Sequence, residues 1–214
     1  MIKLYHAPRA RSLRVLWTLE ELHLGYDLVL LSYPPRMEPD FIQENPHGTV
    51  PYLVDGALRM NESVAICQYL ASRAASPLAC RPDDNDYGQW LNWNVFGEAS
   101  MTYPLSVAFH YGDWYERHVP GCSKYPEIVR YYLDAFQDAV AVIEARLEGR
   151  TYLACDRFTT ADISVCYSLF LFEMMGFGDQ IPDVVSDYWR SCSARESYRS
   201  LAIIEAGPMR QSRK

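Results

Sequence analysis

The sequence predicts an α/β unit of order β-α-β-α-β-β-α followed by an all-helical bundle, and three observations carry that prediction. Short apolar runs of strand length alternate with helical periodicity up to about residue 74. Ser76 to Asp84 then mixes Ser, Pro, Cys and acidic residues in the manner of a linker. Beyond it strand signals vanish and long helical patterns take over. The expected parts are residues 1–76, a linker at 77–84 and a helical domain at 85–214.

Ile2 to His6 reads as the first strand, and Ser12 to about Leu24 as a helix with Leu13, Leu16, Trp17 and Leu24 near one face. Tyr26 to Leu31 is a second strand, and a Tyr33-Pro34-Pro35 loop and a short helix near 38–44 follow it. A proline cannot donate to a strand ladder, so Pro51 belongs at a strand entrance, with a cis peptide expected after Val50. Asp55-Gly56 closes a two-residue hairpin within 50–60, and a helix of roughly 62–74 ends the unit. Parallel strands first and an antiparallel hairpin last make this a thioredoxin-like arrangement. Helices are expected at about 85–116, 125–148, 160–176 and 184–195, the first kinked by Pro104. Thr159-Thr160-Ala161-Asp162 is a capping-box start to an apolar helix and is assigned to folding.

With 214 residues, 49% of them hydrophobic, the chain can bury one large core or two smaller ones. A net charge of −7 argues against nucleic acid or an anionic membrane as partner. The N-terminus lacks the pattern of a signal peptide, and no apolar run approaches the ~20 residues of a membrane helix, so a cytoplasmic address is expected. The six cysteines fall at irregular spacings with no C-x-x-C pair, which points to neither a zinc site nor a dithiol centre. Cys67 and Cys166 sit among apolar helical neighbours and read as packing residues.

The most specific stretch is Asn45 to Ser63. A cis proline at the strand entrance would leave the Val50 backbone N–H and C=O outside the sheet, open to an extended peptide ligand that pairs like an added strand. Glu62 and Ser63 open the next helix, whose free N–H groups and Ser63 hydroxyl suit a carboxylate, while the Glu62 carboxylate suits an amine. A peptide clamp beside an α-amino-acid site describes what glutathione requires.

The N-P-x-G-x-V-P loop at 45–51 with its following Glu-Ser pair resembles the glutathione-binding half of the soluble glutathione transferases, of bacterial type. Lys3-Leu4-Tyr5-His6-Ala7-Pro8 and Phe158-Thr159-Thr160-Ala161-Asp162 also fit that family, so the likeness covers nearly the whole chain. The resemblance implies glutathione as co-substrate, with Thr49, Val50, Pro51, Glu62 and Ser63 binding it, and a homodimer in which Glu98 could reach the neighbouring subunit's glutathione. Thr49 stands where many relatives carry Gln or Lys, and His47 could reach the glycyl carboxylate. No metal is expected.

A thiol with a reference pKa near 8.5 is a few per cent ionised at neutral pH, and the thiolate is the nucleophile. A hydroxyl donor, a helix start and cationic neighbours together favour the anion. The loop Pro8-Arg9-Ala10-Arg11-Ser12 offers all three, so Ser12 is the expected donor to the glutathione sulfur, with Arg11 in electrostatic support and Arg9 and Arg14 nearby. The competing reading of Ser12 is an ordinary helix N-cap. Relatives carry the activating Ser, Cys or Tyr one to three positions earlier, where this chain has Arg9, Ala10 and Arg11. Tyr5 and His6 read as strand residues.

Trp93, Phe96, Tyr103, Phe109, His110, Tyr111 and Trp114 suggest an aromatic or apolar electrophile, with Tyr103 the named pocket candidate. The expected function is glutathione transfer to such a small molecule. Maleylacetoacetate- or maleylpyruvate-type isomerisation, ether or halide cleavage, and non-catalytic ligand binding are its rivals.

Overall fold

The structure, a computed structural model, describes residues 1–35, 38–116 and 120–205. By their contacts the residues fall into two units, Met1–Ser76 together with the chain from Arg195 onward, and Pro77–Ala194. The C-terminal segment, expected with the helical domain, thus returns to the first unit.

The first unit is a four-stranded sheet in the order β2-β1-β3-β4. β1 (Ile2–His6) pairs in parallel with β2 (Tyr26–Leu30) and antiparallel with β3 (Tyr52–Asp55), which pairs antiparallel with β4 (Leu58–Met60). Helices α1 (Ser12–Glu21), α2 (Pro39–Glu44) and α3 (Ser63–Arg73) complete the thioredoxin-like order. The period-2 burial of β1, with Ile2, Leu4 and His6 inside, is the half-buried pattern its sequence carries.

Local chemistry shifts several boundaries. α1 stops three residues earlier than expected because His23 takes the left-handed conformation (φ 50) and closes a Schellman motif, with His23 N–H on Glu20 O and Leu24 N–H on Leu19 O. The signal was missed because a histidine fills a place that glycine usually holds. The hairpin loop is Gly56-Ala57 and not Asp55-Gly56, with Gly56 at φ 58 as the first loop residue. Asp55 remains in β3, where it accepts from Tyr69 Oη at 2.9 Å and pairs with Arg73.

The returning segment is fastened to α1. Arg195 donates to both Glu21 carboxylate oxygens, from Nε at 2.6 Å and Nη2 at 2.8 Å. Ser197 donates to the same carboxylate, and Tyr198 packs on Trp17 with ring centroids 4.6 Å apart. Burial works to raise the Glu21 carboxyl, but the Arg195 and Ser197 hydrogen bonds and the Arg195 charge outweigh it and hold the group below its usual range. Short helices α10 (Glu196–Arg199) and α11 (Ala202–Glu205) lie in this segment.

The second unit is helical: α4 (Tyr87–Phe96), a π-helical stretch (Gly97–Thr102), α5 (Tyr103–Tyr111), α6 (Asp113–Glu116), α7 (Pro126–Leu147), α8 (Thr160–Phe172) and α9 (Asp183–Ser193). Pro104 sits in the first turn of α5, and the irregularity it was expected to cause is the widened stretch just before it. Gly97 lets that stretch approach α8, since a Cβ there would lie 2.5 Å from Ser164 Oγ and 2.7 Å from its carbonyl carbon. The continuous run Thr160–Gln180 is long and apolar enough to cross a bilayer, contrary to the sequence expectation, yet 67% of its apolar window is buried. α4 and α9 pack against α8.

The segment read as a linker is tied into this unit. Cys80 is joined to Cys155, a pairing that the irregular spacing gave no sign of. The Arg157 guanidinium reaches Pro77 O at 2.8 Å and Ala79 O at 3.2 Å, and Thr160 N–H reaches Leu78 O at 3.0 Å. Cys67 and Cys166 are fully buried, and burial pushes the Cys67 thiol up to about 11, which keeps it unreactive.

The Thr159 capping box forms, with Ala161 N–H donating to Thr159 Oγ1 and Thr159 N–H donating to Asp162 Oδ2 at 2.8 Å. Asp162 also accepts from Leu153 N–H at 3.1 Å and Tyr188 Oη at 2.9 Å. Burial raises this carboxyl to about 6 against the partial relief of those donors. The folded chain therefore holds a proton that the unfolded chain has released between about pH 4 and 6, so this group's contribution to stability falls as pH rises through that window. Asp162→Asn is expected to destabilise the chain at pH 4, with its disadvantage shrinking toward pH 6 to 7. Melting temperatures of both proteins across pH 4–7 check this, and parallel curves would refute it.

Candidate functional site

The antiparallel register places Tyr5 opposite Tyr52, so the turn after β1 and the residues before β3 lie at the same end of the sheet. There Ala7, Phe41 and Val50 form a small buried cluster, with Tyr5, Ala10, Leu31 and Tyr52 packed against it.

Val50 and Pro51 are buried and joined by a cis peptide. β3 begins at Tyr52, and no hydrogen bond among the described residues reaches the Val50 backbone. The loop before it is held by Asn45, whose Nδ2 donates to Thr49 O at 2.9 Å and whose Oδ1 accepts from His47 N–H at 3.3 Å. Thr49 and His47 are exposed. The asparagine was legible only as part of a motif; its role as loop brace appears in three dimensions.

Glu62 is the N-cap of α3, exposed and extended (φ −89, ψ 112), and its side chain makes no hydrogen bond or ion pair among the described residues. Ser63 is buried and accepts from Arg14 Nη1 at 3.3 Å. Because Ser63 Oγ receives that bond, its own proton is left to donate. Arg14 is fully buried. Its guanidinium and the free N–H groups of the first α3 turn favour an anion at Ser63, beside the Glu62 carboxylate at the N-cap. The sequence placed Arg14 near Ser12; the structure links its guanidinium to Ser63.

Ser12 is the first residue of α1, and Arg11, half-buried, is the N-cap. Ser12 does not cap the helix. It is fully buried, and its Oγ lies 2.8 Å from His6 Nδ1 and accepts from Ala7 N–H at 3.3 Å. His6, also fully buried, has Nε2 3.0 Å from Glu205 Oε1. The pair is at ion-pair distance but off the hydrogen-bond line. Glu205 Oε2 accepts from Arg9 N–H at 2.6 Å. Sequence reasoning missed Glu205, and no local signal ties it to His6 across the chain.

Tyr103 opens α5 in the second unit, 55% exposed and edge-on to Tyr132 with ring centroids 6.3 Å apart. Trp93, in contrast, is core. Among the described residues no group of three His, Cys, Asp or Glu is placed to hold a metal ion.

Residues 4–78 match the family model described as the glutathione S-transferase N-terminal domain. Over 183 residues the chain is 28% identical to glutathione S-transferase 3 of Schizosaccharomyces pombe, covering 79% of this chain and 74% of that protein. A glutathione S-transferase I bound with lactoylglutathione superposes with a TM-score of 0.77 at 26% identity, over 95% of this chain and 99% of that one. A glutathione transferase of Methylococcus capsulatus shares the fold with a TM-score of 0.81 at 23% identity, over 96% and 98% of the two chains. The first unit matches the glutathione S-transferase N-terminal domain, and along nearly its full length the chain is similar to soluble glutathione S-transferases.

Proposed function

We propose that this chain is a working glutathione transferase that binds glutathione at this end of the sheet and lets its thiolate attack a small aromatic or apolar electrophile. The observation that carries the reading is the convergence of an unpaired strand entrance at Val50 with a helix start at Ser63 backed by the buried Arg14. In this reading Val50 and Pro51 pair with the ligand backbone, and Ser63 and the α3 N–H groups hold a carboxylate. Glu62 holds the amine, and Thr49 lies at the glycine end. Ser12 and Arg11 favour the thiolate at the start of α1. Lowering the thiol pKa by ~2 units requires preferring the anion by about 2.7 kcal/mol. A buried hydroxyl serves only after the turn Pro8–Arg11 lets sulfur approach it.

The burial of Ser12 also favours a second reading, a family member that binds glutathione without turning it over. Conjugation of a generic aryl halide separates the two. Ser63→Ala is expected to raise the KM for glutathione about tenfold with kcat little changed, as loss of ground-state binding does. Ser12→Ala is expected to lower kcat about tenfold to hundredfold with KM little changed. Undiminished turnover removes Ser12 from the chemistry. Glutathione raising the melting temperature of a protein that conjugates nothing selects the binding reading.

We further place Tyr103 in the electrophile pocket and the protein in the cytoplasm as a homodimer. There the Cys80–Cys155 pair would be kept as thiols, and no residue of the glutathione site depends on it. For the dimer, exposed apolar residues Leu91 and Val95 on α4 supply the surface, with Val95 57% exposed. Val95→Lys is expected to halve the mass seen by sedimentation; a wild-type monomer would overturn the dimer.

A further inference from the structure

We propose that His6, backed by Glu205, accepts the thiol proton of bound glutathione through Ser12. The inference rests on the glutathione-binding reading above and adds to it the destination of the proton.

The geometry restricts where protons sit. Glu205 Oε1 is 3.0 Å from His6 Nε2, and a carboxylate facing a bare nitrogen lone pair is repelled, so Nε2 carries hydrogen. In neutral His6 the lone pair is then on Nδ1, which accepts from Ser12 Oγ at 2.8 Å. The only proton of the hydroxyl is spent inward, and Ser12 cannot donate to sulfur. In doubly protonated His6 the direction reverses: Nδ1–H donates to Oγ, and the Ser12 proton is left to Ala7 O, 3.4 Å away, or to a ligand that competes with that long contact.

One transfer joins the two states. The S–H bond breaks as an O–H bond forms at Ser12, and the former Ser12 O–H bond breaks as an N–H bond forms at His6 Nδ1. No electrons leave the site and no co-reactant is needed. The products are a thiolate receiving the Ser12 hydroxyl proton and an imidazolium between that hydroxyl and the Glu205 carboxylate. Glu205 is itself fixed on the turn that precedes α1, because Arg9 N–H donates to Oε2 at 2.6 Å. Arg9 adopts φ 64, a left-handed backbone that non-glycine residues seldom enter. Glu205 thus meets both the imidazole and the turn that sulfur must cross.

His6 and Glu205 act through Ser12 and do not touch the ligand, so the test needs readouts that folding alone would not move. His6→Gln keeps a hydrogen-bonding side chain that cannot take a proton; Glu205→Gln keeps the shape and removes the charge. Glu205→Asp keeps the charge. Each is compared with wild type by melting temperature, by calorimetric binding of S-methylglutathione, which has no thiol, and by the ultraviolet absorbance of thiolate on adding glutathione at neutral pH. The expected result is S-methylglutathione affinity within about twofold of wild type, with bound thiolate and kcat down about tenfold or more in both Gln variants and largely kept in Glu205→Asp. If His6→Gln does not fold, Glu205→Gln alone decides. Wild-type thiolate signal in a folded Glu205→Gln overturns the relay, and so does a parallel loss of S-methylglutathione binding, which marks a structural role. A wild-type protein that binds neither compound overturns the glutathione reading itself and the relay with it.

Discussion

The antiparallel pairing of β1 with β3 is the constraint on which the site depends. Setting Tyr5 opposite Tyr52 brings together the turn that leads into α1 and the bend that leads into β3, segments about forty residues apart. The cluster of Ala7, Phe41 and Val50 then holds them in contact. A one-residue slip in this register would turn every side chain of β3 to the other face of the sheet. Leu53, fully buried opposite Leu4, would be driven to the exposed side, so packing enforces the register.

A second constraint is electrostatic. Arg14 is fully buried, and placing a charge there carries a desolvation cost that its partners must offset. Its placement makes sense where it projects a positive field onto the start of α3, whose own N–H groups carry partial positive charge. An anion there is stabilised by both, while the Ser63 hydroxyl, filled on its acceptor side by Arg14, is oriented to donate.

The strands and helices of the first unit were legible because their signals are local: period-2 burial in β1, a proline at the entrance to β3, a glycine in the hairpin. Boundaries failed where an unusual residue did a usual job, as His23 does at the end of α1. The N-P-x-G-x-V-P loop and its Glu-Ser pair were legible as a pattern, and the bond from Arg14 to Ser63 was not, since it reaches across from another helix. The run from Thr160 was expected as a helix at about 160–176 and continues to Gln180, and its buried Asp162 is satisfied inside the fold. The return of the C-terminal segment had no local signal at all. Its fastening by Arg195 to Glu21 joins residues 174 apart, and only the folded chain makes them neighbours.

That return puts an electrostatic difficulty into the site. In the proposed reaction a carboxylate at Glu205 and a thiolate near Ser12 are like charges, and their repulsion opposes formation of the anion. An uncompensated Glu205 would therefore work against what the helix start and the serine provide. An imidazole between the two reverses the sign. When the proton leaving sulfur stops on His6, the positive ring lies nearer to each anion than the anions lie to each other, and the net charge of the buried group is unchanged by the step. A neutral glutamine at 205 would remove both the repulsion and the attraction, and because the imidazolium is the closer charge, the attraction is the larger loss. In the proposed reaction the short contact between His6 and Glu205 is therefore what makes that carboxylate tolerable beside a bound thiolate.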